Sequence, residues 1–258
     1  MKNIGKPGIG LLAAGIITVG LISFSGVFAA EPLRKAGEYI SYESMTGAER
    51  KQYDADIKAL EKSFAKDQQR MKDLVDKVAK SPDAYKKMTE DEKQIVDFAR
   101  KTNSSNTTIT TLAYDGYANM LPGYYYISVK GTIAGLGTGH AAIKNSQSQQ
   151  TIEAYPAGGV KRYDKKWNYE SMFYKAMAIG STSTRRTSAV SYAESKIGKP
   201  YNNNFYDKWN QTKFYCSQLV WRAWYNQGID IDDIKFDNIV TPTEVGVSNN
   251  TYKFEYRG

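Results

Sequence analysis

One cysteine and one histidine stand in the whole 258-residue chain, Cys216 and His140. Cys216 opens the run Phe214-Tyr215-Cys216-Ser217-Gln218-Leu219-Val220-Trp221-Arg222-Ala223-Trp224, in which Leu219, Val220, Ala223 and Trp224 follow at helical spacings and put the thiol on the inward face of the first turn. A sulfur there meets unpaired backbone N–H groups and the positive end of the helix dipole. With a cationic partner, such placement brings a cysteine pKa down from about 8.5 to roughly 3.5–7.5 and populates the nucleophilic thiolate. The same amides can receive an oxyanion. Taken alone, the helix serves equally well a small buried apolar side chain.

His140 tips that balance. It follows Gly135-Leu136-Gly137-Thr138-Gly139 and opens the apolar run Ala141-Ala142-Ile143, a setting that holds an imidazole at the rim of a sheet. A ring that meets Cys216 can take the thiol proton and later protonate a leaving group. Such a base needs a third group to fix its tautomer. Glu153, flanked by Ile152 and Ala154 on the next expected strand, is the candidate, because a carboxylate in apolar surroundings is costly unless paired. A solvent-facing Glu on an alternating strand is the plain alternative. One Cys excludes an internal disulfide, and one Cys plus one His fall short of the four ligands of structural zinc, so no metal and no cofactor is expected.

The elements that must position these groups form two blocks. Residues 38–101 are expected to be helical: Ile57, Leu60, Phe64, Met71, Leu74, Val75 and Val78 make one apolar stripe on a charged helix from Gly47 to Lys80. Ser81-Pro82 breaks it, and Thr89 caps a second helix that runs through Arg100. This hairpin is either a lid, inhibitory arm or wall-binding element, or a helical layer packed on the main domain. Asn103–Thr111 has the composition of a linker. Beyond it, candidate strands at Tyr124–Val129, Thr132–Ala134, His140–Ile143, Thr151–Tyr155 and Ala176–Ile179 precede helices at Thr187–Ile197 and Tyr215–Gln227. This order predicts an α+β domain over 112–258, after a helical segment over 30–111.

Four ordered blocks, Gly139-His140-Ala141-Ala142-Ile143, Ile152-Glu153-Ala154-Tyr155-Pro156, Gly198-Lys199-Pro200-Tyr201 and Phe214–Trp221, resemble the YiiX-like branch of the NlpC-type cysteine hydrolases. The resemblance spans roughly Leu121–Pro242. It implies a circularly permuted papain-like fold, an antiparallel sheet packed with helices, with Cys216 as nucleophile, His140 as base and Glu153 as orienting residue. It also implies that Tyr215 helps line the oxyanion site, and Tyr124, Tyr125, Tyr126, Tyr201 and Tyr206 fall in segments expected to flank the cleft. Gly123-Tyr124 stands where that branch usually has Gly-Asp, so the contact of that Asp is not carried over.

Lys2 and Lys6 followed by an uncharged stretch over residues 8–30 predict an export signal cleaved before Ala30, or, uncut, a marginal membrane anchor. Either way the remainder lies outside the cytoplasm, secreted or wall-associated. Without residues 1–29 the chain carries 33 basic against 27 acidic residues, a formal +6. That charge suits an anionic cell-wall polymer. No recognition motif accompanies it, so nucleic acid is not expected. The expected activity is thiol-dependent amide hydrolysis in peptidoglycan stem peptides or related amino-acid conjugates. Thioester or lipid ester hydrolysis, or acyl transfer, by the same Cys and His is the alternative, and a non-catalytic wall-binding protein the third reading. The oligomeric state is not legible.

Overall fold

Among the described residues, seven antiparallel strands make one sheet, ordered β5-β4-β3-β2-β6-β7, with β1 pairing β2 beyond the end of β6. They run β1 (Tyr39–Ile40), β2 (Tyr125–Ile133), β3 (Gly137–Lys144), β4 (Gln150–Tyr155), β5 (Gly159–Asp164), β6 (Phe173–Ala178) and β7 (Thr251–Arg257). The helices are α1 (Gly47–Lys80), α2 (Asp83–Lys86), α3 (Glu90–Asn103), α4 (Ser183–Glu194), α5 (Cys216–Tyr225) and α6 (Pro242–Val247). The computed structural model describes residues 38–103, 115–133 and 136–258. The expected export segment, most of the expected linker and Ala134 lie outside the described residues. The described residues belong to one compact unit.

α1 begins where Thr46 and Glu49 cap each other: the Thr46 hydroxyl accepts from Glu49 N–H (3.2 Å), and the Glu49 carboxylate accepts from Thr46 N–H (2.7 Å). Its apolar stripe buries Leu60 with the core formed by β2, β3 and α5, and Leu74 and Val78 with Ile95 and Val96 of α3. Polar ties fasten it further. The Asp67 carboxylate takes both the ammonium (2.9 Å) and the backbone N–H (3.0 Å) of Lys253 on β7. The Tyr53 hydroxyl donates to Val129 O (2.6 Å), and the Asp56 carboxylate accepts from Thr138 N–H (3.3 Å) and its hydroxyl (2.5 Å). The helical layer thus grips β2 and β3 close to His140. Among the described residues no helix is long and apolar enough to cross a membrane.

Several elements differ from expectation. The runs at 124–129 and 132–134 join into the single strand β2, bent by a bulge between Ser128 and Thr132. α4 starts at Ser183 rather than Thr187, because the Thr182 hydroxyl accepts from Arg185 N–H (3.2 Å) and caps it four residues earlier. β1, β5, β7 and the six-residue α6 were not expected. β5 carries Lys161, Arg162 and Asp164 at the sheet edge, a charge density that protects an unpaired edge but hides a strand from hydropathy patterning.

Candidate active site

The site is assembled where β3 passes β2 and β4. Gly139 has φ +84°, and a Cβ built there would sit 1.8 Å from the Ser128 carbonyl oxygen, so only glycine lets β3 press this closely on β2. His140 then pairs with Ser128. β3 and β4 pair Ile143 with Ile152 and Lys144 with Thr151. Continued along the strands, that register sets Tyr155 across from His140 and Glu153 across from Ala142, all on one face of the sheet. The small Ala142 leaves room for the carboxylate to reach the ring. His140 Nε2 lies 2.8 Å from Glu153 Oε2, and the Tyr155 ring stacks on the imidazole at 4.2 Å.

Glu153 is fully buried and receives four donors. His140 Nε2–H and the Lys166 ammonium (3.1 Å) meet Oε2; the Trp167 indole N–H (2.9 Å) and the Thr151 hydroxyl meet Oε1. Burial, the largest influence, favours the neutral acid. The bonds from His140 and Thr151 and the charges of Lys166 and His140 outweigh it and hold the carboxyl at about 2. It is an anion at any physiological pH. Lys166 also donates to the Tyr155 hydroxyl and pairs with Glu170 at 3.4 Å, so the ring that stacks on His140 is itself held in place.

Cys216 is the first residue of α5, where the chain turns from the extended backbone of Tyr215 into the helix. Gln218 fixes this start. Its side-chain oxygen accepts from Tyr215 N–H (3.1 Å), and its amide donates to Lys208 O (3.1 Å) and Asn210 O (2.9 Å). The Ser217 hydroxyl donates to Val240 O at 2.7 Å. α5 packs on β3, the strand that carries His140. With Nε2 committed to Glu153, Nδ1 is buried without a hydrogen-bond partner, the ring position open to the thiol. Burial raises the Cys216 pKa, but the charge and hydrogen bond of His140, with the Ala141 and Ser217 amides, outweigh it and hold the thiol below its ordinary value. For His140, burial lowers the pKa, while Cys216 and the Glu153 bond raise it further, so the imidazole ends above its usual value. The two shifts share one cause: positive charge on the ring favours the thiolate, and negative charge on the sulfur favours the protonated ring.

The structure brings together Cys216, His140 and Glu153, and sets Tyr201 near them. Tyr201 is buried, its hydroxyl has no partner, and after burial itself the negative charge of Cys216 is what most raises its pKa. Tyr126 and Tyr215 do not reach open space. Tyr126 is sealed under β2, donates to Gly116 O (3.0 Å) and stacks at 4.2 Å on Trp167, the indole that holds Glu153. The Tyr215 hydroxyl accepts from Val240 N–H at 3.1 Å, leaving its backbone as its part of the site. Tyr124 and Tyr125 are core residues, and Tyr206 is exposed away from the cleft. The tyrosines that wall the cleft, a cavity of about 660 Å³, are Tyr39, Tyr155 and Tyr163. Cys216 is fully buried and does not line it; His140 is the member of the trio that opens on it. Thr151, Lys166 and Trp167 were missed. Thr151 lay in plain view two residues before Glu153 on one strand face, whereas the Lys-Lys-Trp turn at 165–167 gives no signal of a carboxylate overhead.

Residues 128–245 match the family described as permuted papain-like amidase enzyme, YaeF/YiiX, C92. The uncharacterized protein YycO of Bacillus subtilis (strain 168) is 30% identical over 93 residues, 34% of this chain and 37% of that protein. The chain thus aligns with little more than a third of the length of that relative. No solved structure gives a significant match. The matched span holds His140, Glu153, Tyr201 and Cys216, the family it matches has a permuted papain-like fold, and the architecture here is α+β with one antiparallel sheet.

Proposed function

We propose, from the match of residues 128–245 to a family of permuted papain-like amidases, that the chain is a cysteine hydrolase that cleaves amide bonds through Cys216, His140 and Glu153. The observation that supports this reading is the bond from His140 Nε2 to a fully buried Glu153 at 2.8 Å, with the charge of the same imidazole lowering the pKa of the thiol at the head of α5.

In this mechanism the Cys216 thiolate attacks the carbonyl carbon, and the carbonyl π electrons move to oxygen. The backbone amides at the start of α5 and the unpartnered Tyr201 hydroxyl are the donors available to that oxyanion. As the intermediate collapses, the C–N bond breaks and the leaving amine takes the proton from His140 Nδ1. Water then attacks the thioester, giving its proton to Nδ1; the thiolate departs and a carboxylic acid is released. Glu153 stays ionised throughout, keeping Nε2 protonated and the ring in plane. Because Cys216 is fully buried, the cleft floor must open locally for substrate to reach the sulfur.

The substrates we propose are peptidoglycan stem peptides or related amino-acid conjugates, met by an exported, secreted or wall-associated protein. The charged N-terminus with its uncharged stretch and the basic balance support that address. A second reading, hydrolysis or transfer of acyl thioesters or lipid esters, draws on the apolar part of the cleft wall, Ile133, Pro156 and Ala157 beside the tyrosines. Mass spectrometry of muropeptides and of acyl thioesters incubated with the protein separates the two. The amidase reading predicts muropeptides shortened at an amide bond by the wild type and untouched by Cys216→Ala. Turnover of thioesters alone overturns it.

A further inference from the structure

Every charged group on the cleft wall but one is already engaged. Lys166 is shared between Glu153 (3.1 Å) and Glu170 (3.4 Å), and Glu170 is thereby engaged too. The exception is Lys130. Eight of the nine residues of β2 are buried, and Lys130 is the one that is exposed. Among the described residues its ammonium has no ion pair and no hydrogen-bond partner; only its backbone N–H is used, donating to the Ser128 hydroxyl at 3.2 Å.

Its place is set by the features that set His140. Ser128 is the register partner of His140, and Lys130 follows it by two residues at the bulge, about 7 Å along the strand. The next residue, Gly131, has φ +67°, and a Cβ there would come within 2.5 Å of the Tyr39 hydroxyl. Glycine lets the Tyr39 ring lie flat over the bulge. Tyr39 is held by β1, where Ile40 is buried with Met45 and Tyr53 and Tyr39 pairs with Ile133. Lys130 and Tyr39 together border both the cleft and a second cavity of about 700 Å³ that runs along α1. A free ammonium thus stands at the cleft's edge, flanked by an aromatic ring from a segment outside the family match.

We propose that Lys130 is a specificity-determining residue that binds a carboxylate on the non-reacting part of the substrate. The inference rests on the hydrolase reading above and narrows it, from amides in general to amides of acyl groups or amines that also carry a free carboxylate. An exposed ammonium that has no ion pair within the protein is open to a ligand carboxylate, with the modest gain of a solvent-facing pair.

Cys216 itself provides the assay. Iodoacetamide and iodoacetate alkylate a thiolate by the same displacement of iodide, and differ in that iodoacetate carries a carboxylate. The ratio of their second-order rate constants at Cys216, followed by mass spectrometry at fixed pH and ionic strength, reads recognition of that carboxylate separately from thiolate reactivity. Expressed as iodoacetate over iodoacetamide, the ratio is expected to fall about two- to fivefold in Lys130→Gln and to be retained in Lys130→Arg. An unchanged ratio in Lys130→Gln overturns the proposal, as does an equal loss of both rates, which would mark Lys130 as structural. If neither reagent modifies the wild-type protein, the hydrolase reading itself falls and this inference with it, an outcome distinct from a ratio that fails to move.

Discussion

Replacing Glu153 by Gln removes one charge and almost no volume, yet four donors converge on that carboxylate. A carboxylate offers acceptors at both oxygens; an amide offers one oxygen and one NH2. Whichever way the substituted amide is turned, its NH2 faces two former donors. Turned toward Oε2's place, it opposes His140 and Lys166 and leaves a buried imidazolium and an ammonium without their anion. Turned the other way, it opposes the Trp167 indole, which can only donate. The folded carboxyl sits near 2 against an ordinary 4.5, so its ionisation contributes about 3 kcal/mol to stability. Because the folded value is depressed, that contribution is present above pH 4.5 and lost as pH falls through about 2. Losing the anion while its cations stay buried is therefore expected to cost about 3–5 kcal/mol at pH 7. Urea unfolding of wild type and Glu153→Gln at pH 7 and pH 3 measures it, and the gap should shrink at the lower pH. The same variant removes one of the influences that raise His140, so the pH at which Cys216 becomes reactive should move upward. Equal urea midpoints at pH 7, together with superimposable Cys216 pH profiles, would refute the role given to Glu153.

Three further expectations follow from other contacts. Burial pushes the Glu244 carboxyl up to about 7 although it caps α6 through Thr241 N–H at 2.6 Å. A raised folded value means stability present below pH 4.5 and lost as pH rises through 7, so Glu244→Gln, which keeps the cap, should raise Tm at pH 8 and leave it little changed at pH 4. Gly139→Ala, driven against Ser128 O at a positive φ, should displace His140 and abolish Cys216-dependent turnover, with loss of Tm alongside; full activity in that variant contradicts the close approach of β3 to β2. Asp67→Asn should cost about 3–5 kcal/mol in urea unfolding by leaving the buried Lys253 ammonium without its anion, whereas a change within error would show that this ion pair does not help to hold α1.

The residues of the candidate site could be singled out because each breaks the local pattern of its element. Cys216 opens an apolar helix, His140 follows a glycine run, and Glu153 interrupts an apolar strand. A carboxylate between Ile152 and Ala154 must either face water or find partners, and the register of β3 with β4 gives it partners. The helices of residues 47–103 were legible for a different reason: a stripe at spacings of three and four is a strong periodic signal, and Ser81-Pro82 and Thr89 punctuate it. Less could be seen where the information is not local. Lys166 and Trp167 reach Glu153 from a turn after β5, and Asp56 reaches Thr138 across 82 residues of chain. Tyr39 borders the cleft from a two-residue strand too short to have a pattern. The tyrosines near the site in sequence proved a poor guide to its walls, since alternate residues of a strand in mid-sheet face opposite buried layers, and Tyr124, Tyr125 and Tyr126 are all covered.

The measurement that bears most directly on the whole account is the rate of Cys216 alkylation by iodoacetamide as a function of pH, in the wild type and in His140→Ala. Held below its ordinary value by His140 and the Ala141 and Ser217 amides, the thiol should react with a midpoint well under about pH 8. Without the imidazolium, burial is left as the dominant influence, and the midpoint should rise above that of a free cysteine. Coincident profiles in the two proteins, or a wild-type thiol that reacts only above about pH 8.5, would mean that sulfur and ring do not share a proton and that Cys216 is a core residue.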